Sequence, residues 1–155
     1  MENKQLQKEI IRTEVPGGFI DSAYIDGKRH GEEIEFSRDK KRLVRITIYK
    51  NGKREGLQIE YSDTGGIETP FENDKINGIV KWYDHASRLL REDPFTDGVR
   101  NGTVKDYAVR GTKTVLMTET VYKNGVKEGV QKEYAEDGIT IKKQTLFAND
   151  KAVKA

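Results

Sequence analysis

Two histidines, His30 and His85, are the side chains best suited to moving protons near neutral pH. They stand 55 residues apart, and a general base needs a carboxylate or hydroxyl partner at hydrogen-bond distance. No local spacing around either one supplies such a partner, so His30 reads as a turn residue and His85 as part of a connector. Carboxylates are plentiful but patterned: Glu32, Glu33 and Glu35 alternate with Ile34 and Phe36, and Glu55 and Glu128 each precede a recurring glycine. That is the periodicity of strands, and Glu92 with Asp93-Pro94 reads as a stiff connector, not an acid pair. No Asp-x-Asp-x-Asp-Gly run offers the oxygen-rich loop that calcium needs, and the chain has no cysteine for disulfides or thiolate metal sites. Glycines recur, yet none opens into the Lys-Ser/Thr of a phosphate-binding loop. These residues predict no enzyme, no cofactor and no metal.

The pattern that organises the chain is structural. The spacing aromatic-x-(Asn/Asp)-(Gly/Asp)-x-x-x-Gly-x-x-x-x-aromatic begins at Tyr24, Tyr49, Phe71, Phe95 and Tyr122, and a sixth copy begins at Phe147. The starts lie 25, 22, 24, 27 and 25 residues apart, the period of one supersecondary unit stacked on the next. Asp26-Gly27, Asn51-Gly52, Asp97-Gly98 and Asn124-Gly125 are pairs that accept positive φ at both centres of a tight hairpin turn. The flanking residues alternate: Val44, Ile46 and Ile48 fall on one side and Leu43, Arg45, Thr47 and Tyr49 on the other, while Leu57, Ile59 and Tyr61 share a face. The later glycine of each copy, at 31, 56, 78, 102 and 129, makes room for a bulge or for a neighbour's ring against bare backbone.

The expected fold is all-β: an elongated array of about six hairpin repeats forming an open antiparallel meander sheet. At the usual strand spacing such an array extends roughly 55–60 Å, with terminal strands whose unpaired backbone needs a cap, a role the segment 151–155 can take. Residues 1–18 form an N-terminal segment and degenerate opening strand, with Glu9–Val15 as strand and Pro16-Gly17-Gly18 as turn; residues 19–155 form the array. Residues 1–8 read as a loose helical turn or fray. The stretch Asp84–Arg91 has helical propensity, but the repeat register predicts turn and strand there.

Of the residues, 28 are basic and 26 acidic, a net charge of +2 with both signs mixed. That balance argues against a nucleic-acid partner, which favours a basic stripe, and against attachment to an anionic membrane. Basic clusters such as Arg38-Asp39-Lys40-Lys41-Arg42 read as solvated hairpin tips. No run of 18 apolar residues and no apolar leader is present, so the expected location is cytoplasmic.

Specificity in a repeat array is written where one unit departs from its siblings. The third unit departs most: Asp74 replaces the turn glycine, Pro70 and Pro94 bracket the unit, and it holds Trp82, the sole tryptophan. Strand alternation sets Val80 and Trp82 on the side where other units carry Gln58 and Glu60 or Glu33 and Glu35, an apolar pair on a polar face. With His85, Arg88 and Arg91 close in sequence, these residues form a candidate partner-binding patch. Packing beneath the 84–94 connector is the equally simple alternative for the pair. The longer connector Ala108–Thr114, which holds Arg110, is a second candidate place.

The core seen in Tyr49-Lys50-Asn51-Gly52-Lys53-Arg54-Glu55-Gly56 and Tyr122-Lys123-Asn124-Gly125-Val126-Lys127-Glu128-Gly129 resembles the bacterial variant of the MORN repeat, over about residues 19–150. Eukaryotic MORN units carry a longer pattern with a recurrent tryptophan, of which only His30-Gly31 and Trp82 are similar here. The bacterial variant is similar to the YwqK-like antitoxin, or immunity, group. That resemblance implies a protein-binding role in which a cognate toxin is the partner and is blocked sterically. The eukaryotic repeats imply the alternative, a scaffold or membrane-surface module binding anionic lipid.

Overall fold

Each of the six predicted turns folds the chain back in a computed structural model that describes residues 7–39 and 42–153. Asn51 and Gly52 have φ of 54° and 87°, and the other Asn/Asp-Gly pairs follow them. Both centres of a type I′ hairpin turn need positive φ, which these residues tolerate best. Asn73-Asp74 and Asn149-Asp150 do the same without glycine, because aspartate also enters the left-handed region at small cost. Readings made above for residues 1–6, Lys40, Lys41, Lys154 and Ala155 fall outside the described residues.

The strands are β1 Lys8–Val15, β2 Gly18–Ile25, β3 Lys28–Ser37, β4 Leu43–Lys50, β5 Lys53–Arg54, β6 Gly56–Ser62, β7 Gly65–Glu72, β8 Lys75–Ile76 and β9 Gly78–Asp84. They continue as β10 Leu89–Thr96, β11 Val99–Arg100, β12 Gly102–Arg110, β13 Lys113–Lys123, β14 Val126–Lys127, β15 Gly129–Tyr134, β16 Ile141–Ala148 and β17 Lys151–Ala152. All pairings are antiparallel and join neighbours along the chain, so the described residues form one open meander sheet without a helix. One long edge carries the six tight turns. The opposite edge carries the connectors between units.

The short strands β5, β8, β11 and β14 precede a bulge at the recurring glycine. Tyr49 pairs with Arg54 but Ile46 pairs with Ile59, and the Glu55 N–H donates to the Ile48 carbonyl at 2.9 Å. Gly56 then takes φ 108°, a conformation that a side chain disfavours. Gly78 and Gly102 carry a further restriction, since a Cβ at either would stand 2.9 Å from the ring of Pro70 or Pro94.

Register places Ser22, Glu33, Thr47, Gln58, Thr69, Val80, Asp93, Val104, Thr120 and Gln131 in one row across the sheet. This row is the buried centre of the molecule: Thr47 is 2 % exposed, Val104 1 % and Asp93 0 %. The face that reads as polar from alternation is therefore the one most covered, and the aliphatic face is the more open, with Leu57 39 % and Ile79 47 % exposed. Val80 is corrected accordingly: at 4 % exposure it packs within the sheet and offers no contact area. The cover comes from the motif's own first aromatic residues, Tyr49, Phe71, Phe95, Tyr122 and Phe147, which share this face.

Two connector readings resolve differently. The 84–91 stretch is turn and then strand, as the repeat register predicts, with the Ser87 N–H donating to the Asp84 carbonyl at 2.9 Å. Ala108–Thr114 is not a long connector. Strand β12 runs to Arg110, β13 starts at Lys113, and the 27-residue spacing comes from longer strands around a two-residue turn. The reason is that Arg110 still pairs with Lys113, so the ladder continues past the point where the other units end.

Candidate functional site

The aromatic rings over the buried row are capped by cations from the preceding unit. Arg29 lies 5.2 Å from the Tyr49 ring centre, Arg54 3.9 Å from Phe71, Arg100 4.9 Å from Tyr122 and Lys127 5.0 Å from Phe147. Each cation sits five residues after its own unit's first aromatic, a recurrence legible in the sequence that the motif above leaves out. Such stacking contributes about 0.5–1 kcal/mol per pair at half-exposed sites. Turns are stitched in the same direction: the N–H of Gly52 donates to the Arg29 carbonyl at 2.7 Å, and that of Gly125 to the Arg100 carbonyl at 2.8 Å. Glu55 and Glu128 accept the N–H of Asn73 and Asn149 at 2.9 and 3.0 Å, so these carboxylates clasp the next unit's turn.

His30 has an equally structural setting, its Nδ1 lying 3.3 Å from Asn51 Oδ1 of the next turn. Among the described residues no group of three or more His, Cys, Asp or Glu side chains is arranged to hold a metal ion. No helix among them is long and apolar enough to cross a membrane.

Of the six residues singled out for partner binding, five gather on the connector edge of the third and fourth units. Trp82 and Arg91 pair across β9 and β10 on the buried-row face, with the guanidinium 5.8 Å from the indole centre. Arg91 donates to Asp106 at 2.6 Å and to Asp93 at 3.3 Å. Arg88 binds Asp84 at 2.7 Å and donates to the Gly111 carbonyl at 3.0 Å, drawing the 85–88 and 111–112 turns together. That ion pair, with the N–H groups of Arg88 and Ala86, lowers the Asp84 pKa to about 2. His85 and Arg110 are exposed at the same edge, and the Arg110 head donates only to the neighbouring Val109 carbonyl, at 3.2 Å.

The open face carries a second set of aromatics. Tyr83 donates to Glu68 at 3.0 Å, Tyr107 to Glu92 at 2.8 Å and Tyr134 to Glu119 at 2.7 Å. Burial first, and then the adjacent carboxylate, raises Tyr83 and Tyr107 to about 12. Beside Tyr83 lies a cleft of about 510 Å³ lined by Tyr61, Gly65, Gly66, Glu68, Tyr83 and His85, among others. The sequence marks the place only as the turn signal Asp63-Thr64-Gly65-Gly66. No protein-family model matches the chain, and no curated protein matches it.

Proposed function

We propose that this chain is a non-catalytic protein-binding module of the MORN-variant type, acting as an antitoxin or immunity protein that blocks a cognate toxin by occupying its surface. The observation that carries the reading is the half-buried Trp82 beside Arg91, in a row whose other members are mostly charged or small. Tryptophan and arginine are the residues most often found at the energetic centre of protein interfaces. His85 and Arg110 extend the patch along the connector edge, while Arg88 holds the two turns that present it. Hairpins that contact only their sequence neighbours form a scaffold whose surface can change in one unit without disturbing the others.

The test is capture of partner from the native host, identified by mass spectrometry, with the double variant Trp82→Ala and Arg110→Ala. Arg110 is chosen over Arg88 because its head group bonds the adjacent Val109 carbonyl, whereas Arg88 joins two turns through Gly111. The expected outcome is a loss of about 2 kcal/mol or more in binding, with a cooperative thermal transition retained. Equal capture by wild type and variant removes the interface assignment.

A further inference from the structure

The aromatic row of the open face has one gap. Phe36, Tyr83, Tyr107 and Tyr134 each face an aliphatic residue on the following strand, namely Leu43, Leu89, Leu116 and Ile141. Tyr61 faces Gly66, and Gly66 in turn faces Tyr83 on its other side. Two tyrosines therefore stand two strands apart, about 9.5 Å between backbones, on either side of a strand position that carries no side chain, and the Tyr83 ring reaches toward that strand to place its hydroxyl on Glu68. The gap is the floor of the 510 Å³ cleft.

The chemistry of the walls selects the guest. On the buried-row face, rings are covered by cations of this same chain. No described cation lies over Tyr61 or Tyr83. The carboxylates lining the cleft are Asp63, Glu68 and Asp84, and His85 is the one basic residue there. Asp63 and Asp84 already pair with Arg42 and Arg88. Among the described residues Glu68 accepts the Tyr83 hydroxyl and has no ion-pair partner within 4 Å, with Lys81 standing opposite it across the strands. A flat cation thus meets two rings with no described cation over them and a carboxylate outside any close ion pair.

Resting on the protein-binding reading above, the geometry points to the Tyr61–Gly66–Tyr83 slot as a recognition site for an arginine side chain of the partner protein. The guanidinium stacks between the rings as Arg54 stacks on Phe71, and its N–H groups reach the free oxygen of Glu68. Lysine fits less well because its ammonium is compact and strongly hydrated.

The test needs no partner. The isotope-labelled chain is titrated with acetyl-Gly-Arg-Gly-amide and with the neutral citrulline analogue, following amide signals by NMR. Saturable shifts are expected at Gly66, Glu68 and Tyr83, with the citrulline peptide at least about tenfold weaker. Gly66→Leu restores the side chain found in the sibling units and is expected to abolish the shifts. A Cβ at Gly66 stands 3.2 Å from the Glu60 carbonyl, so a second variant guards against misfolding. Glu68→Gln keeps an acceptor for Tyr83 and is expected to weaken binding about tenfold through charge alone. Equal binding of the two peptides, shifts centred elsewhere, or no shift at tens of millimolar peptide overturns the assignment. The partner-capture result at Trp82 is unaffected by any of these, so the two readings fail separately.

Discussion

Asp93 is fully buried, and its carboxylate is held by two Arg100 bonds of 2.7 Å and by Arg91 at 3.3 Å. The corresponding positions of sibling units are Thr47, Thr69 and Thr120, so the charge is an idiosyncrasy of the fourth unit and not a requirement of the sheet. A buried carboxylate stripped of its cation has no water to turn to, whereas Arg100, 34 % exposed against 0 % for Asp93, can be solvated when the carboxylate is removed. Arg100→Ala is therefore expected to destabilise the protein by about 3 kcal/mol in urea unfolding, whereas Asp93→Thr stays within about 1 kcal/mol. Equal effects would show that the ion pair carries no particular weight. The open-face tyrosines make a second prediction. Tyr83 and Tyr107 ionise near 12 in the fold against 10.0 ordinarily, so the folded state retains their protons after the unfolded chain has lost them. Their contribution is complete below pH about 10 and is lost as pH rises toward 12. The double variant Tyr83→Phe and Tyr107→Phe is expected to show a shallower fall in urea midpoint between pH 9.5 and 11.5, at roughly constant lysine titration.

At the level of the hairpin, legibility follows how local the cause is. The turns were readable because two adjacent residues decide them, and the φ values at Asn51-Gly52 or Asp97-Gly98 are what those residue types favour. At Gly56 and Gly129 the sequence left a bulge or room for a neighbour's ring, and the pairing register decides for the bulge. The buried side was not readable, because the cover over Thr47 or Thr69 comes from aromatics and from cations of the preceding unit, such as Arg54 over Phe71. Alternation marks the side of Gln58 and Glu60 as polar, but a single sheet has no second layer to cover its aliphatic side, that of Ile46 and Ile59, instead. Val80 was misplaced by that inference, while Trp82, Arg91, Arg88, His85 and Arg110 were brought together by register and by the Arg88–Gly111 bond. Glu55 and Glu128 read as solvent patterning, but each precedes a unit whose turn is Asn-Asp, a correlation visible only once the clasp is known.

For the molecule as a whole, the described strands pair only with near neighbours in sequence, and no strand pairing among them closes the sheet. Stability in such an arrangement is a sum of unit and interface contributions. Deleting residues 135–155, which removes β16 and β17, is expected to leave a folded remainder with a lower urea midpoint and a smaller denaturant slope. Complete loss of cooperative unfolding would mean that the array behaves as one indivisible core. Taken alone, the sequence determined the number of hairpins, their turn types and their order, because those depend on dihedral preferences within a few residues. Only the tertiary structure decided which face is covered, where Gly66 leaves a slot and which connectors meet, since each depends on side chains two strands apart whose register no local preference sets.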